Sequence, residues 1–301
     1  MLTKRTDLAD EAKALFEEQA EKTTQLEGVR AREYERRGCA VTSVEILNQT
    51  GSQALGKPAG RYLTVAVRST GAAGETFSDE AQCLAEELRH LLPPLSEGES
   101  VLVVGLGNRG ITPDAIGPQT VEQILVTRHL IRSLPEQFAH LTPVCAVAAG
   151  VLGSTGVESA ELIRGLTERI KPACVIVVDA LVSRRIDRVC ATVQLSDTGL
   201  VPGSGVGNHR SAVNRETLRV PVLSVGVPTV IEASTLAADL LEEAGAEADA
   251  LPRSLRADST VIVTPREIDA QVQALSKLIG CGINLALQPA LELSDVTALL
   301  G

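Results

Sequence analysis

Residues 100–118 constrain the fold more than any other stretch of the chain. They begin with four apolar residues, 101–104, a length typical of a strand buried on both faces. The loop Gly105-Leu-Gly-Asn-Arg-Gly110 follows, and its glycines allow positive φ angles. Thr112-Pro-Asp114 and Gly117-Pro118 then lead into a predicted helix. We therefore expect a strand–loop–helix unit with Asp114 beyond the carboxyl end of a central strand, where open α/β sheets bind ligands.

Two further apolar segments repeat this pattern. Residues 144–149 and 173–178 are short apolar runs, and predicted helices over 119–132 and 158–170 alternate with them. Strands that alternate with helices in this way imply a parallel, doubly wound sheet. Asp179 directly follows the third apolar run, so we expect a second carboxylate at the same kind of strand end.

The remaining elements are predicted from periodicity and end signals. Strands are expected over 39–47, 61–67 and 221–227, and helices over 77–92, 231–244 and from Thr6 or Asp7 to about residue 25. Ser78 is the expected N-cap of the helix over 77–92. A closing helix over 265–287 is expected to be interrupted near Gly280-Cys-Gly282, and residues 240–260 are expected to form a surface excursion.

Composition excludes several classes of protein. The 301 residues are 44% hydrophobic and carry a formal charge of -10 without a long basic run, which argues against a nucleic-acid-binding surface. No apolar run reaches about 18 residues, and the charged amino-terminal region has no signal-peptide core, so we expect no membrane span and no export. Six cysteines without a CxxC pair indicate reduced, buried thiols in a cytosolic compartment.

Asp114 and Asp179 are the strongest candidates for catalysis. Neighbouring strands lie about 4.8 Å apart, so carboxylates that follow two neighbouring strands can meet across one crevice. One of two close carboxylates tends to keep a proton while the other activates a water, which is the chemistry of amide hydrolysis. The same pair is also suited to a divalent metal ion, and each aspartate could instead cap a helix or close a turn.

Other motifs carry less information. The loop at 105–110 matches GxGxxG, but the acidic residue of a dinucleotide site is missing about twenty residues later. Asp197-Thr-Gly199 occurs once in an α/β context, which favours a strand-end turn over the paired motif of two-fold symmetric aspartic proteases. His209 follows a glycine-rich loop without an evident partner, and no HExxH spacing is present.

Several motifs in order resemble the germination protease family of endospore-forming bacteria. They include Arg5-Thr-Asp-Leu-Ala9, Thr112-Pro-Asp-Ala-Ile-Gly-Pro118, Val178-Asp-Ala-Leu181 and Pro202-Gly-Ser-Gly-Val-Gly-Asn208. The resemblance covers almost the whole chain. It implies an atypical aspartic endopeptidase with a three-layer α/β/α sandwich, a mostly parallel central sheet and a likeness to hydrogenase-maturation proteases. The two catalytic aspartates of the family correspond to Asp114 and Asp179.

The resemblance also implies a biological role. Such an enzyme begins the degradation of small acid-soluble spore proteins during germination, in the forespore or spore core, and is typically a homotetramer. It is made as a zymogen that removes a propeptide, here residues 1–7, by cutting itself between Asp7 and Leu8. Residues 8–301 would then form a single peptidase domain. The resemblance implies no cofactor, metal ion, nucleic acid or membrane.

Backbone groups of two glycine-rich loops are expected to contact the substrate or its oxyanion. The candidate substrate-binding residues are Gly107, Asn108, Asp197, Gly205, Asn208 and His209. Two other classes remain open at this stage: a metal-dependent hydrolase or maturation protease with the same carboxylates as ligands, and a binding protein without catalysis.

Overall fold

A single nine-stranded sheet forms the centre of the molecule. The computed structural model describes residues 6–19, 26–68, 74–202, 211–245 and 261–300. Within these ranges the strand order is β1-β2-β3-β7-β8-β6-β4-β5, and β9 pairs with β8.

The strands are β1 (Val29–Arg36), β2 (Cys39–Ile46), β3 (Gly60–Ala66), β4 (Val101–Leu106), β5 (Val144–Gly150), β6 (Cys174–Ser183), β7 (Thr192–Ser196), β8 (Val222–Glu232) and β9 (Ile262–Val263). The helices are α1 (Ala9–Gln19), α2 (Gln49–Leu55), α3 (Glu75–Leu91), α4 (Ile116–Val121), α5 (Arg128–Ser133), α6 (Pro135–Phe138), α7 (Leu152–Thr155), α8 (Ser159–Ile170), α9 (Arg215–Leu218), α10 (Ala233–Glu243), α11 (Ile268–Leu287) and α12 (Leu293–Leu300). Short 3₁₀ helices span Thr112–Asp114 and Ile186–Arg188.

The expected α/β fold with parallel pairing is confirmed for the centre of the sheet. β5, β4, β6 and β8 are mutually parallel neighbours, and β4, β6 and β8 are almost entirely buried. The sheet is more mixed than the sequence predicts, because β1, β2, β3, β7 and β9 pair antiparallel. The helical connections that impose parallel pairing are confined to the central strands.

Helices cover both faces, which gives the expected three layers. The strand residues whose side chains point to one face pack in a large apolar core with α3, α4, α11 and α12. The alternate residues of β4 and β6 pack against α8 and α9 on the opposite face. α1 and α2 pack beside β2 and β3 in a smaller apolar cluster. No helix of the described part of the chain is long and apolar enough to cross a membrane.

Several boundaries differ from the sequence predictions. β1 was not predicted, because its sequence VRAREYER is mostly charged and exposed at the sheet edge. α3 begins at Glu75 with Gly74 as its N-cap, so Ser78 lies inside the helix. β6 runs on to Ser183, so Asp179 lies within a strand. α1 is described as far as Gln19, and residues 20–25 of the predicted helix and 246–260 of the expected surface excursion lie outside the described residues.

Two helix predictions were wrong for tertiary reasons. The predicted helix over 119–132 is divided into α4 and α5, because Asn284 of α11 bonds the backbone between them, at Leu125 N–H and at the Gln123 carbonyl. α11 itself is continuous through Gly280. A Cβ at Gly280 would lie 2.4 Å from Cβ of Gln123, so this glycine permits close packing instead of ending the helix.

Candidate active site

A cavity of about 400 Å³ opens at the carboxyl ends of the central strands. Asp114 and Asp179 both line it, together with Gly107 at the end of β4 and Gly226 of β8. The structure therefore brings the two predicted aspartates to one cavity at the sheet edge where α/β proteins bind ligands.

A tight backbone turn positions Asp114. β4 ends at Leu106, and Gly107 then adopts φ +103° and passes close to the 3₁₀ helix that contains Asp114. A Cβ at Gly107 would lie 2.1 Å from the Asp114 carbonyl oxygen and 2.9 Å from its Oδ1, so only glycine fits without displacement. The Asn108 N–H donates to Asp114 Oδ2 at 2.7 Å. The same loop thus shapes the cavity and fixes the carboxylate.

Strand pairing positions Asp179. β4 and β6 are adjacent and parallel, with Gly105 paired to Val178, so the Asp114 loop follows the strand next to the one that contains Asp179. Asp179 is 6% exposed, and the Ala180 N–H donates to its Oδ1 at 2.9 Å. A carboxylate held this way keeps one oxygen in a fixed orientation toward the backbone.

One row of residues crosses the sheet floor of the cavity. Asp179 of β6 pairs with Gly226 of β8, and Gly226 pairs with Gln194 of β7. Residues in one row of a sheet point to the same face, so the Asp179 and Gln194 side chains flank a position that has no side chain. The Leu181 side chain covers Gly226, because a Cβ there would lie 2.4 Å from Leu181 Cδ1.

Residues 6–11, here called the docked segment, lie across this edge of the sheet. The Asp7 N–H donates to the Val182 carbonyl at 2.9 Å, and the Val182 N–H donates to Asp7 Oδ2 at 2.9 Å. Further along the segment, the Ala9 N–H donates to Gln194 Oε1 at 2.8 Å. Leu8 is fully buried. The segment therefore crosses from β6 to β7 with the Asp7–Leu8 bond between these two anchor points.

Two side chains donate to the carbonyl oxygen of Asp7. Lys57 Nζ lies 2.8 Å from it and Gln194 Nε2 lies 3.1 Å from it. Lys57 is partly exposed as a residue, but its amino group lies deep, and burial lowers its pKa against the opposing effect of the carboxylates of Asp7, Glu11 and Asp10. Lys57, Gln194 and Asp7 all line the cavity that contains the two aspartates.

Glu11 anchors the far end of the docked segment. Its side chain accepts hydrogen bonds from Ser183 Oγ at 2.9 Å, from the Arg184 N–H at 2.8 Å and from the Arg185 N–H at 3.0 Å. Thr6 Oγ1 also donates to it. Because Glu11 is 2% exposed, these donors replace the water that its carboxylate would otherwise bind.

The other predicted site residues have different surroundings. Gly107 lines the cavity, and Asn108 contacts Asp114 through its backbone N–H. Asp197 accepts hydrogen bonds from Arg61 N and Nε, both at 2.8 Å. Its neighbours Thr198 and Gly199 line the cavity. Gly205, Asn208 and His209 lie outside the described residues. Among the residues described, no group of three or more His, Cys, Asp and Glu side chains is arranged to hold a metal ion.

Comparison with known proteins assigns the family. A family model described as germination protease matches residues 6–244 of the chain. The chain belongs to the germination protease family. Membership in this family supports a protease, an enzyme that hydrolyses peptide bonds, with a role in spore germination. It agrees with the resemblance recognised from the sequence motifs.

Germination proteases from several organisms are similar to this chain. The protein from Clostridium tetani is 40% identical over 322 residues, which cover 98% of this chain and 99% of that protein. The protein from Clostridium perfringens (strain ATCC 13124) is 40% identical and covers 100% of both chains. The protein from Bacillus cytotoxicus is 42% identical over 242 residues, covering 79% of this chain and 66% of that protein.

A solved structure of a [NiFe] hydrogenase maturation protease, HycI from Thermococcus kodakarensis KOD1, also matches. It is 16% identical, with a TM-score of 0.34, and the match covers 64% of this chain and 96% of that chain. This TM-score is too low to support an argument from the likeness.

Two residues of this site were missed by sequence reasoning. Lys57 lies in a loop between α2 and β3, where nothing in its neighbourhood marks a buried amino group. Every residue of β7 is buried, Gln194 included, and an amide in a buried strand is the kind of signal that could have drawn attention to it.

Proposed function

We propose that this member of the germination protease family is an aspartic endopeptidase in which Asp114 and Asp179 together activate a water molecule. We further propose that it is made as a zymogen, that it cuts itself between Asp7 and Leu8, and that it begins the degradation of small acid-soluble spore proteins in the forespore or spore core. A homotetramer is part of this proposal, as are residues 8–301 as one peptidase domain.

One observation carries the proposal: a single cavity is lined by both aspartates and by Asp7, whose peptide bond to Leu8 is the bond to be cut. Residues 6–8 of the docked segment precede α1, and the segment is held by hydrogen bonds from the Asp7 N–H to the Val182 carbonyl and from the Ala9 N–H to Gln194 Oε1. Such binding presents a peptide bond in a fixed orientation, and fixed orientation supplies a large part of the rate of an intramolecular reaction.

The mechanism follows from the two carboxylates. The water oxygen forms a bond to the Asp7 carbonyl carbon while one aspartate accepts the water proton. The carbonyl oxygen takes the electron pair of its double bond. When the C–N bond breaks, the other aspartate gives a proton to the Leu8 nitrogen. The products are a new carboxyl group at Asp7 and a new amino group at Leu8. The backbone donor at Asn108 holds Asp114 in one orientation during both transfers.

The test uses the purified full-length chain and its Asp114→Asn and Asp179→Asn variants. The amino terminus is determined by mass spectrometry during incubation at mildly acidic pH, and cleavage of a synthetic peptide copying residues 4–13 is measured in parallel. We expect a new terminus at Leu8 only in the wild-type chain. Neither variant should cut itself or the peptide, because an amide can neither take up the water proton nor give a proton to the Leu8 nitrogen.

Circular dichroism of each variant gives the control for folding. Asn preserves the size of Asp and one acceptor oxygen for the Asn108 or Ala180 N–H, so both variants should fold. Cleavage by a folded variant would contradict the two-aspartate mechanism. Loss of wild-type cleavage on chelation and its recovery with a divalent metal would favour the metal-dependent hydrolase. Wild-type protein that cuts neither itself nor the peptide would favour a binding protein.

A further inference from the structure

The Asp7 carbonyl oxygen has two side-chain donors in the same cavity as the aspartates. Lys57 Nζ approaches it at 2.8 Å and Gln194 Nε2 at 3.1 Å. Both distances fall in the range expected of donors that stabilise negative charge on an oxygen. Because hydrolysis places negative charge on the carbonyl oxygen of the bond that is cut, these donors lie where that charge would develop.

We propose that Lys57 and Gln194 are catalytic residues that stabilise the charge developing on the carbonyl oxygen of the bond that is cut. This proposal rests on the proposed function, because it takes the Asp7–Leu8 bond as a substrate. The same donors would meet the carbonyl oxygen of any substrate chain that takes the place of Asp7 after the first cleavage.

The placement of Gln194 in the sheet supports this role. Gln194, Gly226 and Asp179 form one row across β7, β8 and β6, so the amide and the catalytic carboxylate point to the same face. Neighbouring strands lie about 4.8 Å apart, so their backbones are about 10 Å apart. Gln194 also accepts from the Ala9 N–H at 2.8 Å, so one side chain orients the peptide on both sides of the Asp7–Leu8 bond.

The environment of Lys57 supports it as well. The side chain reaches the cavity from the loop after α2. Burial lowers its pKa, and the carboxylates of Asp7, Glu11 and Asp10 oppose that effect. A buried amino group in a water-poor cavity interacts with a developing charge more strongly than one in solvent. The hydrogen bonds of the docked segment hold the Asp7 carbonyl oxygen 2.8 Å from the Lys57 amino group.

The decisive variant is Lys57→Met, which keeps a long side chain but cannot donate. We expect the first-order rate of cleavage at Asp7–Leu8 to fall on the order of a hundredfold, the effect of removing one oxyanion donor in other enzymes. Lys13→Met is the matched control, because Lys13 lies on α1 and pairs only with the surface carboxylate of Glu17 among the contacts described. Its cleavage rate should stay within about twofold of wild type.

Hydrogen exchange separates catalysis from simple anchoring. Exchange at the Asp7 and Ala9 amides is measured in Asp114→Asn, with and without Lys57→Met, so that no cleavage occurs. Both amides should stay protected in both proteins, because their acceptors are the Val182 carbonyl and Gln194 Oε1. Loss of protection together with loss of cleavage would mean that Lys57 only anchors the segment and would overturn the proposal. Cleavage by Lys57→Met within about threefold of wild type would overturn it equally.

Peptide cleavage keeps the test independent of self-cleavage. On the peptide copying residues 4–13, Lys57→Met should lower kcat on the order of a hundredfold and leave KM within about threefold. A rise in KM with unchanged kcat would contradict a role in the transition state. If the wild-type chain does not cut itself, the self-cleavage part of the proposed function is wrong, and the role of Lys57 is then tested by the rate of peptide cleavage. If the wild-type chain cuts neither, both proposals fail. Wild-type cleavage with an unaffected Lys57→Met overturns only this one.

Discussion

Gly107→Ala tests whether the turn after β4 sets the position of Asp114. Gly107 has φ +103°, and an added Cβ would lie 2.1 Å from the Asp114 carbonyl oxygen. The positive φ costs an L-residue about 1–2 kcal/mol. Contacts under 3.0 Å are essentially absent from real structures, so the Asp114 backbone must move by about 0.9 Å, the difference between 3.0 and 2.1 Å. Such overpacking costs about 1–3 kcal/mol more.

The expected result has two parts. The free energy of unfolding, measured in urea, should fall by about 2–5 kcal/mol, the sum of the backbone strain and the overpacking. Cleavage of the peptide copying residues 4–13 should fall on the order of a hundredfold, because displacement of a reacting group by about 1 Å has that effect.

Gly98→Ala is the matched control. Gly98 also has a positive φ, +79°, but an added Cβ there would meet nothing within 4 Å. It lies before the amino end of β4, so its substitution should cost about 1–2 kcal/mol of stability and leave peptide cleavage unchanged. The reasoning is refuted if Gly107→Ala cleaves the peptide within about threefold of wild type, or if the two substitutions cost the same stability and activity.

Two further predictions concern anchoring and ionisation. Glu11→Ala removes the acceptor of four donors in a buried site, so the free energy of unfolding should fall by about 3 kcal/mol. Limited proteolysis should also cut residues 6–19 faster. The control Glu17→Ala loses the surface pair with Lys13 and should change the free energy of unfolding by at most about 0.5 kcal/mol. Equal effects of the two substitutions would exclude the anchor. Burial raises the pKa of Tyr34 and of Tyr62 to about 12. These are the only two tyrosines, so phenolate absorbance of the folded chain should appear near pH 12 and move to about pH 10 in urea. Because the folded values are raised, the stability that these tyrosines contribute is complete below about pH 10 and is lost as the pH rises through 12; absorbance near pH 10 in the folded chain would contradict this.

The sequence determined the centre of the sheet. The apolar runs that became β4, β5 and β6 have no polar interruption, which is typical of strands buried on both faces, and the helices between them require parallel pairing. The position of Asp114 after a glycine loop and of Asp179 after an apolar run followed from the same patterns. Local sequence was sufficient here because periodicity and turn residues act over a few positions.

Tertiary structure decided which strands are neighbours and what else enters the cavity. The sequence does not state that β6 lies between β4 and β8, and this order is what brings Asp179 to the edge near Asp114 and into a row with Gln194. Lys57 is separated from Asp7 by 50 residues, so no local pattern could pair its amino group with that carbonyl oxygen. Such contacts depend on the packing of the docked segment against the sheet, and this packing is fixed only when the distant elements have assembled.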